Sequence, residues 1–350
     1  MTPRVGVIAR CDDRGLGNQT WEVCRGLRPD KILVVRDPGS ERQGFPPHRE
    51  RFPGSPILRF NRDKERLDEN VCRDFLDGLD VVYSAETYYD WNFCEWATDM
   101  AVATVLHTNP EFYFHWAHPH VPKPAVWWSA TAWRSDHMPA DTHVVPMPVP
   151  IERWEKPDFS HKPRKVLHVG GLEAILDRNG TKLVAEADRI SNNLEFVVTV
   201  QGADRSGVKA KKKNVANYWD LYNDDCPIMV MPRRFGGLCL PAIEAIGAGK
   251  LVAMPDVSPN RMWPILPLPC KLDRRTLDCQ SGVVSLVSVD PKKIVDVTED
   301  VFDTGAVSEL RRQSYEWATQ NSWETMRSVW MDSFAASVEQ FLDSPYRKGK

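Results

Sequence analysis

One connection in the second half of the chain combines two cations, a glycine pair and an acid. Residues 229–255 read MVMPRRFGGLCLPAIEAIGAGKLVAMP and carry Arg233, Arg234 and Glu244 between two apolar runs. The apolar runs predict two strands, and the residues between them predict a loop followed by a helix. Free amides at the start of a helix attract anions, so the loop is suited to a phosphate group.

Each residue type in this loop has a use in binding a nucleoside diphosphate. Gly236 and Gly237 let an anion approach the backbone, and the guanidinium group of Arg233 or Arg234 can hold phosphate through its fork of donors. The Glu244 carboxylate would repel phosphate, but it can accept hydrogen bonds from paired ribose hydroxyls. Alternatively, the glycines only form a turn and the charged residues face solvent. The combination favours a nucleoside diphosphate.

The rest of the chain alternates short apolar runs with amphipathic segments of helical length. The runs predict strands at 4–10, 31–37, 56–60, 80–86, 101–107, 164–171, 194–202, 226–232 and 250–256. Such alternation predicts an α/β fold built from parallel βαβ units, with ligands bound at the carboxyl ends of the strands. We therefore expect two Rossmann-like domains in tandem with the active site in the cleft between them.

Prolines crowd residues 146–163 and mark a domain junction. We expect an acceptor domain at 1–155, a nucleotide-sugar donor domain at 160–320, and a terminal helix within 321–350 that packs back on the first domain.

Composition indicates an ordinary cytoplasmic protein. The 350 residues have a formal net charge of −3, which demands neither a nucleic acid nor an anionic membrane as partner. No apolar run approaches the roughly 20 residues of a membrane-spanning helix. The eight cysteines include no C-x-x-C pair, so we expect reduced thiols rather than disulfides or a zinc site.

Residues 221–254 resemble the donor-binding signature of GT-B-fold glycosyltransferases of the retaining, glycogen-synthase-like type, whose pattern D-x-x-x-x-P-S-x-x-E-G-x-G-x-x-x-x-E-A-x-A-x-G-x-P-V binds a sugar nucleotide. The second glutamate of the pattern falls on Glu244, and the resemblance implies that it holds the nucleotide ribose. The first glutamate, which contacts the donor sugar in the family, falls on Gly236. This departure leaves the sugar and the stereochemistry open.

The resemblance extends to other glycine and cation positions. Residues 169–187 lie where the family has a glycine loop, here with Gly171, and an R-x-x-K-G segment, here with Arg178 but with Asn179 at the lysine position. Arg233 or Arg234 would then supply the second charge to the diphosphate, together with amides after Gly236 such as that of Leu238. Gly15 and Gly17 match the glycine loop of the acceptor domain, ahead of a helix expected to start near Asn18.

The implied reaction releases a nucleoside diphosphate. Arg178, Arg233, Arg234 and the amides after Gly236 would stabilise the charge that develops on the β-phosphate, so no metal is required. A retaining enzyme can use the departing phosphate as proton acceptor, whereas an inverting enzyme needs a base. Acidic or basic residues that follow first-domain strands are candidates for a base or a sugar-orienting group, and His107 has the best position: Asp13, Glu86, Asp90, His107 and Glu111.

The expected co-substrate is a UDP- or GDP-sugar, with no cofactor and no metal. His115, His118 and His120 lie in a loop with no nearby acid or thiol pattern, which does not indicate a metal site. The acceptor stays open among a modified DNA base, a protein, a lipid-linked molecule and a small glycan. The basic run at 208–213 is interpreted by default as a solvent-exposed loop.

Two alternatives share the donor site. They are a nucleoside-diphosphate-sugar epimerase of the same fold and a non-catalytic sugar-nucleotide-binding module. A nicotinamide-dependent dehydrogenase is disfavoured because neither glycine loop has the G-x-G-x-x-G pattern.

Overall fold

The apolar runs of the sequence form the strands of two parallel sheets. The structure is a computed structural model that describes residues 2–42, 45–59, 66–113, 118–160, 163–171, 177–200, 212–213, 218–223, 225–279 and 282–344. The chain divides into two units. Unit 1 comprises Met1–Met147, Cys279–Gly282 and Met326–Lys350, and unit 2 comprises Pro148–Asp278 and Val283–Thr325.

Unit 1 contains a seven-stranded parallel sheet in the order β3-β2-β1-β4-β5-β6-β7. Its strands are β1 (Val5–Arg10), β2 (Lys31–Arg36), β3 (Ile57–Arg59), β4 (Val81–Ala85), β5 (Ala103–Thr108), β6 (Val126–Ser129) and β7 (His143–Val144). The helices described between its strands are α1 (Gly15–Leu27), α2 (Pro38–Arg42), α3 (Glu69–Leu76) and α4 (Asn92–Asp99). The order reverses between β1 and β4, which in open α/β sheets is where ligands bind.

Unit 2 contains a six-stranded parallel sheet in the order β10-β9-β8-β11-β12-β13. Its strands are β8 (Lys165–Gly171), β9 (Glu195–Val200), β10 (Lys212–Lys213), β11 (Ile228–Val230), β12 (Leu251–Pro255) and β13 (Ile265–Leu268). Its described helices are α5 (Thr181–Ile190), α6 (Leu240–Gly247), α7 (Pro291–Asp303) and α8 (Val307–Gln320). Both sheets therefore start with the Rossmann strand order 3-2-1-4-5-6, and the prediction of an α/β fold with two Rossmann-like domains is confirmed.

A separate two-stranded sheet pairs β14 (Cys270–Cys279) with β15 (Gly282–Val289). The outer part of β14 is exposed, and Leu272 has 73% of its surface accessible. No sequence pattern predicted this sheet.

The last long helix, α9 (Trp323–Asp343), completes the core of unit 1. Trp330 and Phe334 are fully buried and pack against Tyr83 of β4 and Trp128 of β6, with ring centroids 4.7–6.2 Å apart. Trp128 Nε1 donates to Ser337 Oγ at 3.2 Å. Among the described residues, no helix combines the length and the apolar character that a membrane crossing requires.

Candidate functional site

The loop between β11 and α6 is organised by a buried arginine. Arg233, 6% exposed, donates from Nε to the Phe235 carbonyl at 2.9 Å and from Nη1 to the Leu238 carbonyl. These two bonds fold residues 233–238 around the guanidinium group just before α6. Because α6 runs away from this loop, its N-terminal amides face the same region.

Gly236 lies where two guanidinium groups converge. Its φ is +121°, and a Cβ built on it would lie 2.2 Å from Arg233 Nη2 and 2.4 Å from Arg178 Nη2. Arg178 also places Cζ 5.1 Å from the centroid of the Phe235 ring and Nε 3.4 Å from the Phe235 carbonyl. Glycine suits this position because its φ is positive and because a Cβ would displace both guanidinium groups from the places they occupy. The first glutamate of the glycosyltransferase pattern, which falls on Gly236, would do the same.

The side chain of Arg234 has different hydrogen-bond partners from that of Arg233. Its Nη2 contacts Asp273 Oδ2 of β14 at 2.5 Å, and its carbonyl accepts from the Val287 amide of β15 at 2.9 Å. The side chains of Arg234 and Asp273 are 7% and 13% exposed. Arg234 thus fastens both strands of the β14–β15 sheet to the loop, and its charge is matched by a carboxylate.

The start of α5 holds Arg178 in place. Asp177 adopts a φ of +53° and accepts from the amides of Thr181 at 2.9 Å and Lys182 at 3.0 Å. Burial raises the pKa of the Asp177 carboxyl. The Arg178 carbonyl in turn accepts from the Arg234 amide at 2.8 Å, so the two cationic segments are joined through their backbones.

His168 of β8 supports this junction from beneath. It is fully buried, with Nδ1 2.8 Å from the Val230 carbonyl and Nε2 2.9 Å from Thr181 Oγ1. Burial lowers the pKa of His168 to about 4, so the ring is neutral near pH 7. His168 was not among the residues predicted from the sequence, although its position two residues before a glycine pair was an available signal.

Asn179 stands at the lysine position of the family pattern and makes a structural contact. Its Nδ2 donates to the Gly170 carbonyl at 2.8 Å and ties α5 to the end of β8. Gly171 is the last residue of β8, and residues 172–176 of the predicted glycine loop lie outside the described residues. Of the two candidates for the second charge, Arg233 is the one whose Nη2 lies at Gly236 together with that of Arg178. Its contact with a diphosphate stays a prediction.

Glu244 is buried in α6 and is 2% exposed. Its Oε2 accepts hydrogen bonds from Tyr218 Oη at 2.8 Å and Tyr222 Oη at 2.6 Å. Both tyrosines belong to the 3-10 turn Tyr218–Tyr222, which no sequence pattern assigned to the site. Whether Glu244 contacts a ribose stays a prediction.

The glycines of the first predicted loop are helical. Helix α1 begins at Gly15 rather than near Asn18, so Gly15 and Gly17 lie in its first turn. A Cβ at Gly17 would lie 2.0 Å from the Asp12 carbonyl, whereas a Cβ at Gly15 would meet nothing within 4 Å. Gly17 therefore allows α1 to start close to the end of β1, and its donor-binding role stays a prediction.

His107 lies in the aromatic core of unit 1 rather than at an open strand end. Its side chain is 1% exposed, its Nδ1 is 3.0 Å from Tyr83 Oη, and its ring is 5.7 Å from that of Trp330. Burial lowers the pKa of His107 to about 3. These surroundings argue against contact with a substrate, because α9 covers the face of β5 that carries the ring.

The acidic candidates in unit 1 differ in their partners. Asp13 Oδ2 lies 2.6 Å from His48 Nε2, and its other oxygen accepts from Arg51. Glu86, at a φ of +59°, accepts from Asn109 Nδ2 at 2.6 Å.

Two further acids are buried. Asp90 accepts from the amides of Leu67 and Asn92, both at 3.0 Å, which gives it a structural function. Glu111 is 1% exposed in the turn Pro110–Phe112.

Other predicted features fall partly outside the described residues. Residues 114–117, which include His115, and residues 208–211 of the basic run are among those not described. Within the described part of the chain, no group of three or more His, Cys, Asp and Glu side chains is arranged to hold a metal ion.

The sequence matches no protein-family model and no curated protein. Solved structures do match. Anabaena Alr3699/HepE in complex with UDP and glucose has a TM-score of 0.64 at 9% identity, over 95% of this chain and 100% of that chain. A glycosyltransferase from Rickettsia africae ESF-5 has a TM-score of 0.61 at 8% identity, over 96% and 98%.

A third structure is an alpha-glucosyltransferase in complex with UDP and a 13-mer DNA containing a HMU base. It has a TM-score of 0.60 at 8% identity, over 96% of this chain and 100% of that chain. The chain has the GT-B fold. At this identity the likeness establishes the fold alone. The GT-B fold by itself identifies neither the sugar nor the acceptor.

Proposed function

We propose that the protein is a glycosyltransferase that moves a sugar from a nucleoside-diphosphate sugar, most simply a UDP-sugar, to an acceptor. The observation that carries the proposal is the convergence of Arg178 and Arg233 at Gly236, directly before α6. Two guanidinium groups and helix N-terminal amides directed at one place suit a diphosphate. The GT-B fold and the UDP in the structures of similar proteins support a nucleotide as ligand.

The same groups account for catalysis of the transfer. When the bond between the sugar and the β-phosphate breaks, negative charge accumulates on the phosphate and positive charge on the sugar. Arg178 and Arg233 stabilise the phosphate without help from a metal, because their positions are fixed before the reaction starts. Retention follows if the departing phosphate accepts the proton of the acceptor hydroxyl.

The acceptor is proposed only as a hydroxyl-bearing molecule. It is a modified DNA base, a protein, a lipid-linked molecule or a small glycan. The similar alpha-glucosyltransferase was crystallised with DNA containing a HMU base, which makes that class the first to test.

Donor binding is tested by calorimetry with UDP, GDP and ADP in EDTA. We expect one nucleotide to bind, and Arg178→Ala or Arg233→Ala to weaken its binding about ten- to a hundredfold through loss of a charged hydrogen bond. Arg164→Ala is the control, because Arg164 precedes β8 at the opposite end of the strand and pairs with Asp303. Equal binding by Arg233→Ala and the wild type would refute the assigned site.

Transfer is tested separately with the sugar of the bound nucleotide carrying a radiolabel. Label on a hydroxymethylated oligonucleotide or another acceptor establishes the activity. Isomerisation of the donor without acceptor would indicate an epimerase, and nucleotide binding without turnover would indicate a binding module. Binding that requires added Mg²⁺ would contradict the metal-independent part of the proposal.

A further inference from the structure

Glu244 receives two hydroxyl hydrogen bonds on a single oxygen. Tyr218 and Tyr222 both donate to Oε2, at 2.8 Å and 2.6 Å. A carboxylate can accept four hydrogen bonds, two on each oxygen. The bonds from Tyr218 and Tyr222 fill both positions on Oε2. Burial and the Glu244 charge raise the pKa of both tyrosines well above the ordinary value, so both hydroxyls are protonated donors. The carboxylate is therefore held in one orientation.

The two tyrosines differ in depth. Tyr222 is 2% exposed, and its ring meets the Trp154 ring edge-on with centroids 5.7 Å apart. Trp154 is itself held to the turn by a bond from Nε1 to the Trp219 carbonyl at 3.4 Å. Tyr218 is partly exposed, and its hydrogen bond to Glu244 is partly buried, whereas that of Tyr222 is buried. Tyr222 is thus the anchored partner of Glu244, and Tyr218 is the more accessible one.

An incoming ribose presents the same chemistry as Tyr218. Each offers a neutral hydroxyl donor to a carboxylate, so exchanging one for the other keeps the buried charge of Glu244 paired throughout. A ligand without a suitable hydroxyl offers no such exchange. This exchange rests on the donor site of the proposed function. It concerns the part of that site that binds the ribose of the nucleotide.

We propose that Tyr218 holds the position of a ribose hydroxyl on Glu244, and that Tyr222 is a positioning residue that keeps the carboxylate oriented for that ribose. The pair makes the donor site selective for ribonucleotides. Nucleotide entry replaces the Tyr218 hydrogen bond, and the Tyr222 hydrogen bond persists.

The test measures the dissociation constants of UDP and 2′,3′-dideoxy-UDP for the wild type, Tyr218→Phe and Tyr222→Phe. We expect Tyr218→Phe to bind UDP about three- to tenfold more tightly, because no hydrogen bond must be given up. Tyr222→Phe should bind UDP more weakly by a similar factor. Neither change should alter the affinity for 2′,3′-dideoxy-UDP by more than about twofold, since the effects pass through the ribose hydroxyls.

Tyr315→Phe in α8 serves as the matched control and should leave both constants unchanged. Thermal unfolding of each free variant checks that it is folded. Weaker UDP binding by Tyr218→Phe would overturn the exchange, and equal changes for both nucleotides would show that the tyrosines act on the fold alone. Failure of the wild type to bind UDP, GDP or ADP would instead refute the proposed function itself.

Discussion

Arg178 and Arg233 direct their Nη2 atoms at the same side of Gly236, where any other residue would carry its Cβ. The absence of a side chain at one position thus makes room for two cations that come from different segments of the chain. A side chain at this position, such as the first glutamate of the glycosyltransferase pattern that the sequence resembles, would displace both guanidinium groups from the places they occupy.

Replacing Gly236 by alanine should damage the diphosphate site. The new Cβ would overlap both guanidinium groups, and a φ of +121° is unfavourable for alanine. We expect pyrophosphate and UDP to bind at least tenfold more weakly, with a stability loss of about 1–3 kcal/mol. Gly305→Ala is the matched control, because its φ is also positive, at +70°, and a Cβ there meets nothing within 4 Å. Calorimetry that finds wild-type affinity in Gly236→Ala would show that the arginines do not bind the ligand from these positions.

Asp273→Asn should loosen the β14–β15 sheet without altering phosphate binding directly. The neighbouring Arg275 and Arg234 guanidinium groups hold the pKa of Asp273 well below its usual range, so the carboxylate is charged at neutral pH. We expect a lower melting temperature and faster proteolysis within β14, with pyrophosphate affinity within about twofold of the wild type. Asp278→Asn, an exposed acid on the same strand, should change neither. A large loss of pyrophosphate affinity in Asp273→Asn would assign Arg234 to the ligand as well.

Acid should destabilise the protein through its buried histidines. Burial lowers the pKa of His168 to about 4 and that of His107 to about 3, below the 6.5 of an ordinary histidine. The unfolded chain therefore binds more protons below pH 6.5, and stability falls as the pH decreases from there towards the folded pKa values. Each histidine should cost about 2 kcal/mol between pH 7 and pH 5.

Urea unfolding of His168→Gln at these two pH values checks this effect. The loss of stability on acidification should shrink by about 2 kcal/mol in the variant. His143→Gln, which removes an exposed histidine, should retain the full loss. The same loss in His168→Gln as in the wild type would mean that His168 does not resist protonation in the folded protein.

Two of the eight cysteines should react with a thiol reagent faster than the other six. Cys270 and Cys279 are partly exposed, and the other six are buried. Burial raises the pKa of Cys11 to about 11 and of Cys72 to about 12, which suppresses the reactive thiolate. Ellman's reagent should therefore titrate two thiols rapidly in the native protein and eight in denaturant. The Cys270→Ser, Cys279→Ser double variant should lose the rapid phase, and its persistence would show that a buried cysteine opens to solvent.

The sequence was informative where local pattern decides the structure. The run VGVIAR forms β1 at Val5–Arg10, and its buried residues on both faces are typical of a parallel strand. The apolar residues either side of the arginine loop form β11 and β12 with α6 between them. These elements follow from hydrophobic periodicity and from proline and glycine positions, which act over a few residues.

The surroundings of individual side chains depend on distant residues and could not be predicted. His107 ends an apolar run as expected, but it is buried by Trp330, which lies more than two hundred positions later. Arg233 and Arg234 are neighbours of the same type, and the difference between them is made by Asp273. Likewise, no local pattern connects Tyr218 with Glu244.

Helix α9 has a consequence for how the protein is made. Trp330 and Phe334 fill the core of unit 1 beside Tyr83 and Trp128, so the sheet of unit 1 lacks part of its interior until α9 has left the ribosome. Domains usually finish folding in the order of their synthesis. Here the strands of the unit 1 sheet are made before unit 2, but the core of unit 1 is completed after unit 2 has been made. During translation, its unfilled aromatic core is a surface that a chaperone can bind.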